Sequence, residues 1–472
     1  MPRGARVLVL SQIIKAGAQF VGLAVLSRFI LPEEFGAISV AVVIVGIGEI
    51  LRDMGLSTAA ITQPDLTEQQ RNLLFFLNTA LGVALAALVV IFTPALVAVF
   101  DEELLGAALP TLSLVFVLNG LSAQYRAELN RRMRFTALAA ADAAAPALGV
   151  GVGIALALSG AGFWALVAQQ VAISLVAAVF LVGALRWVPR WPRRWRESKE
   201  LLLFGVHVSW AQALTYLGNQ VDVLALGIWS TSAQLGYYNR AYQTTVQPLA
   251  LLKAPATSVA LPLLSRRRDD KTAFARAVAR GQRLVAYTII PGAGLIAGTA
   301  APLVSVVLGL QWAPIATMVV ALAIAGAIQQ LVSVASWIFL AGNHGRALSR
   351  YSTVSLIVKA VLVVVAAPLG PLPVALAFLA SVLLMAPLAL LWACRTAGVP
   401  FASLLSVWRP LTLALLGTVA SSLVVALVAA PALAQLALGV IAFAAVYLLG
   451  AVFRQVRDDY TEVLRLFGTT RG

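Results

Sequence analysis

Long apolar runs follow one another along the chain, separated by short polar stretches. They lie near 8–30, 36–60, 72–100, 108–125, 136–158, 162–185, 201–228, 237–262, 284–309, 314–340, 351–370, 372–394, 409–430 and 432–452. A helix needs about 20 such residues to cross roughly 30 Å of hydrocarbon. The pattern therefore predicts an all-α polytopic membrane protein of about 14 transmembrane helices, with Pro431 dividing the last two.

The polar stretches alternate in charge. "RAELNRRMRF" (126–135), "RWVPRWPRRWRESK" (186–199), "RRRDDKTAFARAVARGQR" (266–283), "GRALSR" (345–350) and the tail from 453 are basic. The stretches between them, "LPEEFG" (31–36), "DEELLG" (101–106), "SGAG" (159–162), "STSAQLG" (230–236) and "GLQWAP" (309–314), hold no Lys or Arg. Short cytoplasmic loops collect cations. The alternation predicts an even number of spans and both termini in the cytoplasm.

Composition supports this reading and narrows it. Hydrophobic residues make up 61% of the 472 and charged residues 11%, and the mean hydropathy is +0.93. A soluble domain carries about a quarter charged residues, so this chain could not present a polar surface to water. The net charge of +15 is largely the topology signal, and no nucleic-acid partner is needed to explain it. The apolar run that follows Arg3 and Arg6 is too long for a signal peptide and reads as the first span. A lone cysteine, Cys394, and two histidines, His207 and His344, exclude an intrachain disulfide and argue against a Cys or His metal site. There is no Walker loop, HExxH or GxSxG. The expectation is a transporter, not an enzyme, with no cofactor beyond coupling to H⁺ or Na⁺. Between the halves, Trp187, Trp191 and Trp195 recur at four-residue spacing among arginines. They suit either a helix lying on the inner leaflet or a basic linker.

An internal repeat organises the chain. Gln12/Gln212, Gly36/Gly236 and Ala41/Ala241 recur at a constant offset of 200. Six spans separate the copies, so both halves share one orientation, related by a pseudo-twofold along the membrane normal. The expected domains are an N-terminal six-helix bundle (1–185), a basic cytoplasmic linker (186–200), a C-terminal six-helix bundle (201–395), and two further helices with a cytoplasmic tail (396–472).

Charges inside the spans are the candidate chemistry, because each costs several kcal/mol if it faces lipid. Gln12, Lys15 and Gln19 share a face of span one. Glu49, Arg52 and Asp53 share a face of span two, as do Asn219 and Asp222 in span seven. Arg52 between two acids reads either as a neutralised intrahelical cluster or as part of a polar cavity. Asp142 lies four residues before Pro146, which cannot donate to the Asp142 carbonyl. The free carbonyl and carboxylate could hold a proton or Na⁺, or Asp142 could pair with a neighbouring helix. Arg28, Arg240 and Lys359 can snorkel toward an interface. Pro248, Pro255 and Pro291 are candidate hinges.

The stretches "LSRFILPEEFGAISVAVVIVGIGEILRDMGLSTAAITQ" (26–63) and "FGVHVSWAQALTYLGNQVDVLALGIWSTSAQLGYYNRAYQ" (204–243) resemble the bacterial polysaccharide flippases of the MOP exporter superfamily. The likeness is nearest to the lipopolysaccharide and colanic-acid exporters. The resemblance implies two six-helix lobes around a cationic cavity, in the bacterial inner membrane. It implies export of an undecaprenyl-pyrophosphate-linked oligosaccharide by alternating access, coupled to an ion gradient. It carries over Arg52, Asp53, Asn219 and Asp222 as motif positions. Lys15, Arg52, Lys253 and Arg240 are then the expected substrate-binding cations. Glu49, Asp53, Asp142, Asn219 and Asp222 are the expected coupling or cavity polar groups. Expected partners are the lipid-linked oligosaccharide, membrane lipids, and a polymerase and glycosyltransferases. The alternatives are a lipid II flippase or drug/cation exporter of the same fold, or a membrane polymerase or ligase. A cation exporter should have a net acidic cavity. A polymerase or ligase should carry a large outer loop, and none is evident.

Overall fold

The structure is a computed structural model that describes residues 3–53, 55–62, 66–191, 212–251, 257, 260–261, 264–267, 270–401, 404 and 407–468. The described residues are helices and short turns, with no strand among them. They fall into two compact units, Met1–Gly236 and Tyr237–Gly472.

The first unit holds α1 (Arg3–Phe29), α2 (Pro32–Asp53), α3 (Leu56–Thr62), α4 (Glu68–Phe100), α5 (Leu104–Leu112), α6 (Leu114–Arg131), α7 (Phe135–Leu158), α8 (Phe163–Leu185) and α9 (Val221–Trp229). Helix α7 packs along α1 and α8, and α6 packs against α4 and α8. Helix α10 (Ser232–Leu251) opens at the end of this unit. The second unit continues with α11 (Lys271–Gly298), α12 (Ala300–Val307), α13 (Ala316–Ala341), α14 (Gly345–Ala366), α15 (Pro371–Ala397), α16 (Trp408–Leu427), α17 (Ala432–Gly450) and α18 (Arg454–Gly468). There α13 packs against α11 and α15, and α16 against α11 and α17.

Eleven helices of the described residues are long and apolar enough to cross a membrane. The count is twelve if α11 and α12, bent by 83°, form one span. The spans expected at 201–228 and 237–262 lie partly outside the described residues. Ile91, Val365, Leu415 and Leu449 are more than three-fifths exposed. Water would make such surfaces a liability, and lipid makes them the ordinary exterior. The chain is a multi-pass membrane protein.

Two expected spans differ in detail. Span two does not run through 60. It ends at Asp53, because Gly55 takes a left-handed φ of +63° that terminates a helix, and α3 follows as a separate element. The expected span at 108–125 lies within a longer one, Leu104–Arg131, in which α5 and α6 meet at a turn at Ser113, whose hydroxyl donates to the Pro110 carbonyl at 2.6 Å.

The repeat is visible in local structure. The Leu31 N–H donates to Glu34 Oε2 at 2.9 Å. Two hundred residues on, the Thr231 N–H donates to Gln234 Oε1 at 3.3 Å. The two helix starts also meet each other. A Cβ on Gly36 would overlap the Ser232 carbonyl oxygen, and a Cβ on Gly236 would overlap that of Pro32. Residues 32 and 36 thus contact 236 and 232, the exchange a local twofold produces.

Candidate functional site

Helix α2 ends in the polar turn that breaks the apolar pattern. Arg52 is 6% exposed there. Its Nε and Nη2 donate to Glu49 Oε2 at 3.3 and 3.2 Å. The i, i+3 spacing puts both on one face. Its Nη1 donates to Asn78 Oδ1 on α4 at 3.1 Å. Asn78 is itself fixed, since its amide nitrogen donates to the Leu74 carbonyl at 2.9 Å. The Asn119 amide of α6 lies beside Glu49. Two glycines allow α4 and α6 to close on this site. A Cβ on Gly82 would come within 2.5 Å of the Phe116 carbonyl oxygen, and one on Gly120 within 2.7 Å of the Asn78 carbonyl oxygen.

The result is a buried nest drawn from α2, α4 and α6. A guanidinium has five N–H donors, and the bonds to Glu49 and Asn78 use three. The other Glu49 oxygen, Oε1, is buried with no hydrogen-bond partner among the described residues. Arg52 therefore has donors in reserve, and Glu49 holds it without saturating it. Asp53 does not share in this. It accepts a hydrogen bond from the Ser57 hydroxyl, across the turn that ends α2.

The other expected residues are placed as follows. Lys15 is half-buried on α1 and makes no ion pair among the described residues. Asp142 is ion-paired with Arg126 of α6 at 2.8 Å. Asn219 and Asp222 do not share one helix face, because the chain leaves the helix at Gln220 between them. Asn219 is exposed and Asp222 is buried at the start of α9. In the second unit Arg240 is buried, not snorkelling; it donates to Gln243 Oε1 at 2.9 Å and stands 6.0 Å from the Trp312 ring. Lys359 stands 5.1 Å from the Phe378 ring. Pro248 and Pro291 lie inside α10 and α11. Lys253, Pro255 and Trp195 lie outside the described residues.

Residues 186–191 are not helical, so the expected Trp stripe does not form there. Trp187 packs instead against Phe75 and Tyr125, with the Arg71 guanidinium 4.5 Å from its ring. The Tyr125 hydroxyl donates to the Trp187 carbonyl at 3.0 Å, and Trp191 packs on Phe76. Arg71 also pairs with Glu128 at 3.5 Å. Sequence reasoning missed Asn78, Asn119 and this docked segment. Its only signal for the amides was single Asn residues in apolar runs.

Residues 25–317 match the family described as polysaccharide biosynthesis protein. A membrane protein of the cps region of Klebsiella pneumoniae is 24% identical over 72% of this chain and 70% of its own length. The teichuronic acid biosynthesis protein TuaB of Bacillus subtilis is 23% identical over 63% of this chain and 62% of its own. The lipopolysaccharide biosynthesis protein WzxC of Escherichia coli is 23% identical over 57% and 55%. In fold the chain is similar to the lipid II flippase MurJ in an inward closed conformation. The TM-score is 0.73 at 13% identity, covering 94% of this chain and 99% of that one. It is also similar to an inward-facing MATE transporter of the MOP superfamily, with a TM-score of 0.60 at 15% identity over 81% and 94%.

Proposed function

The chain belongs to the polysaccharide biosynthesis protein family, and from that premise we propose that it is a flippase for undecaprenyl-pyrophosphate-linked oligosaccharide repeat units. It moves them across the bacterial cytoplasmic membrane by alternating access, with both termini inside. The observation that carries this reading is the Arg52 nest. A pyrophosphate crossing a low-dielectric core needs preorganised cations. Arginine stays charged and can hold phosphate oxygens in a fork. Arg52 is held by Glu49 and Asn78 and keeps N–H donors in reserve. The pyrophosphate would take those donors and then displace Glu49, while Asn78 keeps the guanidinium oriented. Lys15, Lys253 and Arg240 are the further cations of the proposed path. Asp53, Asn219 and Asp222 are its polar lining.

Transport is coupled to a proton or Na⁺ gradient in this reading. Asp142, ion-paired with Arg126, is the first carboxylate to test. In vesicles, Asp142→Asn should remove the gradient dependence of flipping if Asp142 is the coupling group. Unchanged dependence assigns it to the pair with Arg126 alone. A polymerase and glycosyltransferases that act before and after translocation are the proposed functional partners.

The test is polymer export in cells expressing Arg52 variants. Arg52→Gln should abolish export while the protein still reaches the membrane, and Arg52→Lys should rescue only partly. The control is Arg52→Gln with Glu49→Gln, since Glu49 is the acid that Arg52 holds. Export restored in that double variant would make Arg52 a counter-ion only.

A further inference from the structure

The first half of the tail helix α18 packs against a cluster outside the proposed transport path. Asp459 is 6% exposed. It accepts hydrogen bonds from the Tyr287 hydroxyl at 3.0 Å, Arg409 Nη1 at 3.3 Å and Arg283 Nη1 at 3.5 Å. Tyr287, Leu413 and Val456 form its apolar floor, with Tyr447 and Tyr460 packed on them. The Tyr460 hydroxyl donates to the Tyr447 carbonyl at 3.1 Å. Burial, and then Asp459, push the Tyr460 phenol above its ordinary value, so it stays a neutral donor.

Three features of this cluster point to a missing acceptor. Among the described residues two guanidiniums share one carboxylate, which leaves a surplus positive charge. Arg283 Nε, Arg409 Nε and the Tyr447 hydroxyl are all buried with no hydrogen-bond partner among the described residues. An unsatisfied buried donor costs about 1–3 kcal/mol, and three of them surround one cluster. A stripe of arginines leads in from solvent along α11: Arg276 and Arg280 are exposed and Arg283 is half-buried. The surroundings are those of a lipid. Trp408, beside Arg409, is 57% exposed, as membrane-interface tryptophans are. On the same helix Leu411 and Leu415 are 42% and 64% exposed, and Leu448 on α17 is 74% exposed. A phosphate held by the arginines would have apolar helix faces beside it for acyl chains.

We propose that Arg283 and Arg409 hold the headgroup phosphate of an anionic phospholipid, with Asp459 as the neighbouring counter-ion that ties the tail helix to the site. The inner leaflet is its source if the tail is cytoplasmic, as proposed above; binding itself does not depend on that orientation.

The full-length chain, purified in a neutral detergent, provides the test. Three probes are titrated while the thermal midpoint and the bound mass are followed: dihexanoyl phosphatidylglycerol, dihexanoyl phosphatidylcholine and inorganic phosphate. The phosphatidylglycerol should bind and raise the midpoint, and the other two should not. In Arg283→Gln, Arg409→Gln its binding should weaken about tenfold or more, the loss of a charged hydrogen bond. Asp459→Asn moves the other way. It should lower the midpoint without lipid and bind phosphatidylglycerol more tightly than the parent, because a competing anion is gone. If the double arginine variant does not fold, the Asp459→Asn arm decides alone. Equal effects of the two lipids, or an equal effect of inorganic phosphate, would overturn the lipid assignment. So would Asp459→Asn binding no tighter than the parent.

Discussion

Arg52 shows which part of a buried site local spacing can reveal. Its partner Glu49 lies three residues away on the same helix, so the pair is legible from sequence. Asn78, which bonds Arg52, and Asn119, beside Glu49, lie on two other helices, and nothing in the local pattern marks a single amide as part of such a site. Asp53 misled for a related reason. Helical spacing places it beside Arg52, but the turn at Gly55 brings Ser57 to it instead. Asn78→Leu should therefore leave one Arg52 donor buried and unpaired. The expected loss is about 1–3 kcal/mol of stability, read as a lower thermal midpoint of the purified protein. Asp53→Asn should cost less, because Asn can still accept from Ser57. A larger loss for Asp53→Asn than for Asn78→Leu would mean that Asp53 carries more of the site than its contacts imply.

At the scale of elements, the apolar runs gave most helices and the breaks gave the errors. Hydropathy does not register a residue whose backbone ends a helix, so Gly55 closed span two earlier than its apolar run suggests. The 186–191 segment fails as a helix for another reason: Trp187 and Trp191 find Arg71, Tyr125 and the phenylalanines of α4, contacts that periodicity cannot show. The glycine pair at the repeat gives a direct test. Gly36→Ala or Gly236→Ala should lower folded yield, with a cost of about 1–3 kcal/mol typical of overpacking. Gly151 is the control, since a Cβ there meets nothing within 4 Å. Gly151→Ala should be neutral or stabilise α7 by up to about 1 kcal/mol. Thermal midpoints of the three purified variants would rank them, and a Gly36→Ala midpoint equal to that of Gly151→Ala would refute the close approach.

The whole molecule follows from the charge alternation in its loops, a signal independent of hydropathy. A reporter active only outside the cytoplasm should be active when fused after Glu33, Glu102 or Ser232. It should be silent after Arg194, after Arg268 or at the C-terminus. Activity after Arg268 would invert the proposed orientation and move the tail-helix lipid site to the outer leaflet. The sequence also announced that the chain is built twice, and the meeting of Gly36 with Ser232 and of Gly236 with Pro32 adds a history to that arithmetic. In an ancestor with one copy, these would be a single glycine and a single neighbour, each touching its own image in a second subunit. One mutation there would have struck both sides of the contact at once. Within one chain each side can change alone. Position 32 differs between the copies, proline in one and serine in the other: each presents its backbone carbonyl to the close approach, and the Ser232 hydroxyl adds a hydrogen bond to Glu102. The glycines have no such latitude, because a Cβ on either would overlap a carbonyl oxygen.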